Sequence, residues 1–251
     1  MRPGAILLLG ALFAGALTRA AAQGGPPMIT DDPGTPGDGN WEINIAALTN
    51  RSAHVNTYQL PLLDLNYGVG DRLQLKYELP WVIEQQPVES RAGLGNSLLG
   101  VKWRFFDAGE HGWQVSTYPQ LQFNYPESES PRRGLAAPAT DVLIPLEFER
   151  GYTNLDLTFE IGRWQRSAPQ PDSWIAGIVI GHQPREGLEL LAELHDEGSA
   201  ELARNELLVN FGARWDISQR CTLLASAGRD LDNRLGPANS LLTYLGLQLR
   251  L

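Results

Sequence analysis

The chain has 251 residues, with 20 Lys and Arg against 29 Asp and Glu, and its formal net charge of −9 argues against nucleic acid as a partner. A single cysteine, Cys221, cannot close an internal disulfide, and 26 glycines and 17 prolines without a period exclude collagen-like and solenoid folds. No stretch approaches the roughly 18 consecutive apolar residues of a spanning helix.

In chain order, Arg2, the apolar run from Ala5 to Leu17 and the small residues Ala20, Ala21 and Ala22 read as a secretory signal peptide over residues 1–22, cleaved after Ala22. Residues 23–39, dominated by Gly, Pro and Asp, cannot form a strand; they are either a periplasmic tail or a plug folded back into the lumen. Asp31, Asp32 and Asp38 offer oxygen ligands of the kind Ca²⁺ takes, but no EF-hand spacing is present. A turn-forming segment is therefore preferred, with neither metal nor cofactor expected.

Residues 40–251 read as about twelve strands. The predicted spans are Trp41–Thr49, Tyr58–Tyr67, Arg72–Trp81, Ser97–Phe106, Trp113–Tyr125 and Thr140–Glu149, then Thr153–Arg163, Trp174–Gln183, Leu188–Asp196, Asn205–Trp215, Cys221–Asp230 and Ser240–Leu251. Their lengths match the roughly 9 to 11 residues a tilted strand needs to cross hydrocarbon. Connections alternate between short turns, such as Gly68–Asp71 and Pro184–Gly187, and longer segments, including Asn50–Thr57, Val82–Asn96 and Pro126–Ala139. That asymmetry predicts an all-β fold, a transmembrane antiparallel up-and-down β-barrel in a Gram-negative outer membrane, with both chain ends in the periplasm.

Alternation within strands assigns faces. Val115, Leu121 and Phe123 oppose Gln114, Gln120 and Gln122; Leu99, Val101 and Trp103 oppose Gly100, Lys102 and Arg104. Trp174–Gln183 is apolar on both faces, so its phase is ambiguous. A soluble sandwich also alternates, and the position of the aromatics separates the two. Trp41, Tyr67, Phe105, Trp113, Tyr152 and Trp215 fall at strand ends beside short turns, and Trp81, Tyr125, Trp164 and Trp174 at ends beside long loops, predicting two girdles of membrane-interface anchors. The last strand ends the chain with Thr243, Leu245, Leu247, Leu249 and Leu251 on one face, and resembles the terminal strand that barrel-assembly machinery recognises, with Leu where Phe is usual.

Thr30-Asp31-Asp32-Pro33, followed by Gly39, Trp41 and Glu42, then Leu65-Asn66-Tyr67-Gly68-Val69-Gly70-Asp71-Arg72-Leu73 and Gly100-Val101-Lys102-Trp103-Arg104-Phe105, resemble the bacterial outer-membrane family named for the MetA pathway of phenol degradation. The resemblance covers nearly all of the mature chain and implies a transporter-like barrel for aromatic or other hydrophobic compounds. It transfers no binding residue.

Twelve strands about 4.8 Å apart and tilted about 40° close at a radius of roughly 12 Å, room for a small solute. The candidate lumen residues are Lys76, Lys102 and Arg104 on early strands, Glu147, Glu149, Asp156, Glu160, Glu189 and Glu193 on later ones, and Arg214 and Arg250 near the end. They read either as a transverse field orienting a polar or zwitterionic permeant or as a salt-bridge network filling the lumen. The expected function is a porin-like channel for passive transport of small solutes; the alternative is a non-conducting structural or surface-interaction barrel. A barrel hydrolase built on His195, Asp196, Glu197 and Ser199 is disfavoured because consecutive strand residues face opposite sides. His54, His111, His182 and His195 lack metal-ligand spacing. The outer loop from Pro126 to Pro138 is read as mobile, a lid or a lipopolysaccharide contact. Expected partners are outer-membrane lipid, lipopolysaccharide, barrel-assembly machinery and a small-molecule permeant.

Overall fold

A computed structural model describes residues 25–109, 111–125, 127–137, 140–167 and 171–251; the predicted signal peptide lies outside the described residues. Fourteen strand segments form one closed antiparallel sheet: β1 (Trp41–Ser52), β2 (Asn56–Val69), β3 (Leu73–Gln85), β4 (Ser90–Leu94), β5 (Ser97–Asp107), β6 (Trp113–Thr117), β7 (Gln120–Phe123), β8 (Asp141–Gly151), β9 (Leu155–Gln165), β10 (Ser173–Arg185), β11 (Leu188–Ser199), β12 (Asn205–Ser218), β13 (Cys221–Asn233) and β14 (Asn239–Arg250). β4 and β5 both pair with β3, and β6 and β7 both pair with β5 and β8, so each of these couples is one interrupted stave. The barrel therefore has twelve staves, closed by β1 against β14. The break between β6 and β7 falls at Tyr118-Pro119, where proline has no N–H to give the ladder.

Two predicted long connections differ. β1 reaches Ser52 and β2 begins at Asn56, which leaves a tight turn closed by Ser52 N to Val55 O at 2.9 Å. In the Val82–Asn96 segment, β3 continues to Gln85 and β4 returns along it, with Trp81 opposite Leu94 and Gln85 opposite Ser90. Strand propensity there is met by ladder pairing that continues past the aromatic Trp81.

The barrel is apolar outside and polar inside. Ile45, Leu75, Leu99, Val101, Trp103, Ile144, Leu146, Ile161, Ile180, Leu190, Phe211, Leu245 and Leu247 are exposed, while Asn44, Asp64, Lys102, Glu147, Glu193 and Asn210 are buried. No water-soluble body of this size would expose so continuous an apolar belt; facing hydrocarbon, the belt costs nothing. Among the aromatics, Trp41, Trp81, Phe105, Trp113, Tyr152, Trp174 and Trp215 are exposed, and Tyr67 packs on Trp41 with ring centroids 4.8 Å apart. Tyr125 donates or accepts through its hydroxyl with Tyr77. Trp164 differs: on β9 it continues the inward series Glu160, Gly162, and it pairs with buried Ser173 and carries the Arg166 guanidinium over its ring at 4.9 Å. It lines the mouth and is not a lipid anchor. The two-sided strand β10 turns Ile175 and Val179 inward, in register with Glu197 and Glu193 of β11.

Phe211, half-way along β12 and 61 % exposed, sits in mid-belt. Phe211→Arg should cost about 2–4 kcal/mol of folding free energy in a bilayer, read from reversible unfolding in lipid vesicles.

Candidate functional site

The interior holds a segment of the chain itself. Asn40 and Gly68 exchange backbone contacts at the turn end, with Gly39 N donating to Gly68 O at 3.1 Å and Gly68 N to Asn40 O at 3.0 Å. From there the preceding residues run up the lumen. Gly70 N donates to Asp38 Oδ1 at 2.8 Å and Thr35 Oγ1 to Asp71 O at 2.9 Å. Further in, Thr30, Asp32, Pro33 and Met28 are buried among the strands.

Two opposed walls grip this plug. On β5, Lys102 Nζ donates to Asp31 Oδ1 at 2.7 Å and also to Asp32 O, and lies 3.6 Å from Glu147 and 4.6 Å from the centre of the Tyr118 ring. On the far side, Glu193 Oε1 accepts from Ile29 N at 2.9 Å and Thr30 N at 2.6 Å, and Glu160 Oε2 from Asp31 N at 3.0 Å. Arg214 donates to Pro26 O and Gly25 O, both at 3.2 Å, and Ser226 Oγ to Pro27 O at 2.9 Å. Acidic side chains thus meet backbone donors and basic side chains meet backbone acceptors, which satisfies a chain with no ladder partner.

Glycines make the bed. A Cβ at Gly177 would lie 2.0 Å from Thr30 Oγ1, one at Gly212 2.2 Å from Met28 Cε, and one at Gly68 1.8 Å from Gly37 O. A side chain at Gly68 would meet the plug's backbone and one at Gly177 the whole short Thr30 side chain, so either would push the plug off the wall.

The remaining sequence candidates lie around this core. Lys76 sits 3.3 Å from Asp64 and 3.4 Å from Glu78. Arg104 donates to Asp71 O at 2.7 Å, Glu147 accepts from Ser116 Oγ at 2.5 Å, and Glu189 pairs with Arg214 at 3.0 Å. Glu149 and Asp156, with Asp32 of the plug, line a gap of about 10 Å³, room for about one water. Arg250 lies at the turn end, 3.0 Å from Thr222 Oγ1 and 3.6 Å from Asp216. Side chains absent from the sequence candidates complete the shell: Asn44 donates to Asp64 at 3.1 Å, Gln74 to Asn66 at 2.8 Å, and Asn210 to Glu193 at 3.1 Å. Their polarity at positions that alternate with apolar residues is a usable indication.

Three other sequence readings resolve differently. Asp31 is held by Lys102, Asp32 Oδ1 accepts from Gly34 N at 2.8 Å, and Asp38 caps Gly70, so the three carboxylates do not converge on one ion. His195 faces the plug, 3.4 Å from Thr30 Oγ1, Asp196 accepts from Asn205 at 2.7 Å, and Ser199 Oγ accepts from Arg204 N at 3.3 Å, so no catalytic triad forms. The outer loop folds inward: Leu135 is buried beside Gly93, and Arg91 donates to Arg133 O at 2.7 Å. Beside it, Arg166 bridges Glu197 at 2.7 Å and Asp141 at 3.6 Å, while the hydrogen bond from Arg163 holds the Asp172 carboxyl below its ordinary range.

No protein-family model matches the sequence, and no curated protein matches it. The fold is similar to an outer membrane channel from Pseudomonas putida F1, with a TM-score of 0.71 and 14 % identity over 88 % of this chain and 98 % of that one. It is also similar to the NanC porin (TM-score 0.60, 8 % identity, 83 % of this chain and 100 % of that one). The KdgM porin gives a TM-score of 0.57 at 8 % identity over 83 % and 98 %. Fold and inside-out polarity together define a twelve-stave transmembrane β-barrel of the outer-membrane kind.

Removing one partner of a buried ion pair typically costs about 3–5 kcal/mol. Lys102→Met should therefore loosen the plug. In a Cys221→Ser background, a Thr30→Cys thiol, buried in the parent, should react with a maleimide at least several-fold faster when Lys102→Met is added.

Proposed function

We propose that this protein is an outer-membrane channel for small solutes, held shut in the present conformation by residues 25–39. The observation that carries the reading is the nature of the plug's seat. Hydrogen bonds and ion pairs to Lys102, Glu160, Glu193, Arg214 and Ser226 hold it, over a floor of glycines, with a small apolar contact of Met28 against Val179 and Leu191. Groups of this kind exchange partners with water when the segment leaves, whereas an interlocked apolar core would lose its burial outright. The likeness to an outer membrane channel and to two porins supports the same function. The exposed aromatics at strand ends support seating in an outer membrane, and the alternating last strand supports delivery by barrel-assembly machinery.

The solute class follows less directly from the wall. The resemblance to the MetA-pathway family implies hydrophobic or aromatic compounds, and a buried apolar cluster of Ala46, Leu62, Leu224 and Tyr244, with Leu224 in register with Arg214, favours that reading. The level occupied by the plug also carries charge, from Lys102, Glu160, Glu193 and Arg214, beside the apolar contact of Met28 with Val179 and Leu191. A non-conducting structural barrel is the second reading, favoured by how little space is left: the two gaps beside the plug hold about 10 Å³ each.

Planar-bilayer recording separates the two. The parent protein should show rare, small openings, and full-length Gly177→Val, which puts a side chain where Thr30 now sits, should conduct steadily. A correctly folded Gly177→Val barrel that stays silent supports the structural reading.

A further inference from the structure

We infer that the plug holds the place of a permeant carrying an amine and a carboxylate about two carbons apart, bound between Glu160 and Glu193 on one wall and Lys102 on the other; this deepens, and rests on, the channel reading. Asp31 shows the pattern. Its N–H reaches Glu160 Oε2 at 3.0 Å while its carboxylate reaches Lys102 Nζ at 2.7 Å, so one aspartyl unit, nitrogen to carboxyl through Cα and Cβ, bridges the two side chains. The neighbouring N–H groups of Ile29 and Thr30 both fall on one oxygen of Glu193.

The match is incomplete on the acidic side. Glu160 and Glu193 are 5 % and 2 % exposed, and among the described residues neither has a basic side chain within salt-bridge distance; their partners are neutral N–H groups. A buried carboxylate gains more from an ammonium, which brings a full charge and three donors. On the basic side, Lys102 Nζ donates to Asp31 Oδ1 and Asp32 O, both of the plug, so these donors come free for a permeant carboxylate once the plug leaves. The two walls also reject. A simple anion at this level faces Glu160 and Glu193, and a simple cation leaves the Lys102 donors unanswered, so only a zwitterion of the right span satisfies both sides.

β-Alanine is the simplest molecule with that span. In full-length Gly177→Val, β-alanine should block the K⁺ current at a concentration several-fold lower than either β-alaninamide or propionate, and adding Lys102→Met or Glu193→Gln should erase the advantage. Equal block by all three solutes through an open pore overturns the inference while leaving the channel standing. No current through a barrel whose heat-modifiable gel mobility shows it folded defeats the channel reading itself. A second measurement does not depend on conductance: in full-length Thr30→Cys/Cys221→Ser, β-alanine should speed maleimide labelling of the plug, and β-alaninamide and propionate should not. Labelling unaffected by β-alanine counts against the site.

Discussion

Hydrocarbon offers no hydrogen-bond partner to a peptide group, and that one deficit shapes this molecule. Every strand must be paired on both edges, so β1 meets β14 and the sheet has no edge at all. With a closed ring, the period of two along each strand becomes an inside and an outside. The outside is free to be apolar and the inside is free to be charged, the reverse of a soluble core.

Inversion creates its own difficulty, because a lumen lined by Glu147, Glu160, Glu193, Lys102 and Arg214 holds charges away from bulk water. The plug relieves it by supplying what the wall lacks. Its backbone offers donors to the carboxylates and acceptors to the bases, and the Asp31 carboxylate pairs with Lys102. The segments that carry the family resemblance come together here although they are distant in sequence. Thr30-Asp31-Asp32-Pro33 supplies the plug, Gly68 to Asp71 supports its entry, and Lys102 and Arg104 anchor it and the turn beneath. Their shared feature is mechanical: they fix a peptide inside a barrel.

Where local rules failed, the cause can be named. Trp164 lies beside a loop, the place of an interface anchor, yet the parity running from Glu160 through Gly162 points it inward, and Arg166 stacks over its ring there. Asn50–Thr57 contains turn-forming residues, but pairing of Arg51 with Asn56 extends the ladder to a tight hairpin. The phase of β10 could not be read from a strand apolar on both faces; register with β11 sets it, placing Val179 opposite Glu193. In the last two cases a pairing partner outweighs composition.

The sequence alone determined the periodic properties: strand existence and approximate span, the alternation of faces, twelve staves, and the acidic and basic residues that alternate with the greasy ones. Those follow from geometry within a strand, where neighbours are two residues apart. Only the tertiary structure decided that residues 25–39 lie in the lumen, that Glu160 and Glu193 receive their backbone, and that Gly177 and Gly212 are the floor beneath them. The hydrogen bonds to Glu160 and Glu193 join residues 129 to 164 positions apart, and a glycine's reason for being small is the atom that approaches it, which no local pattern records.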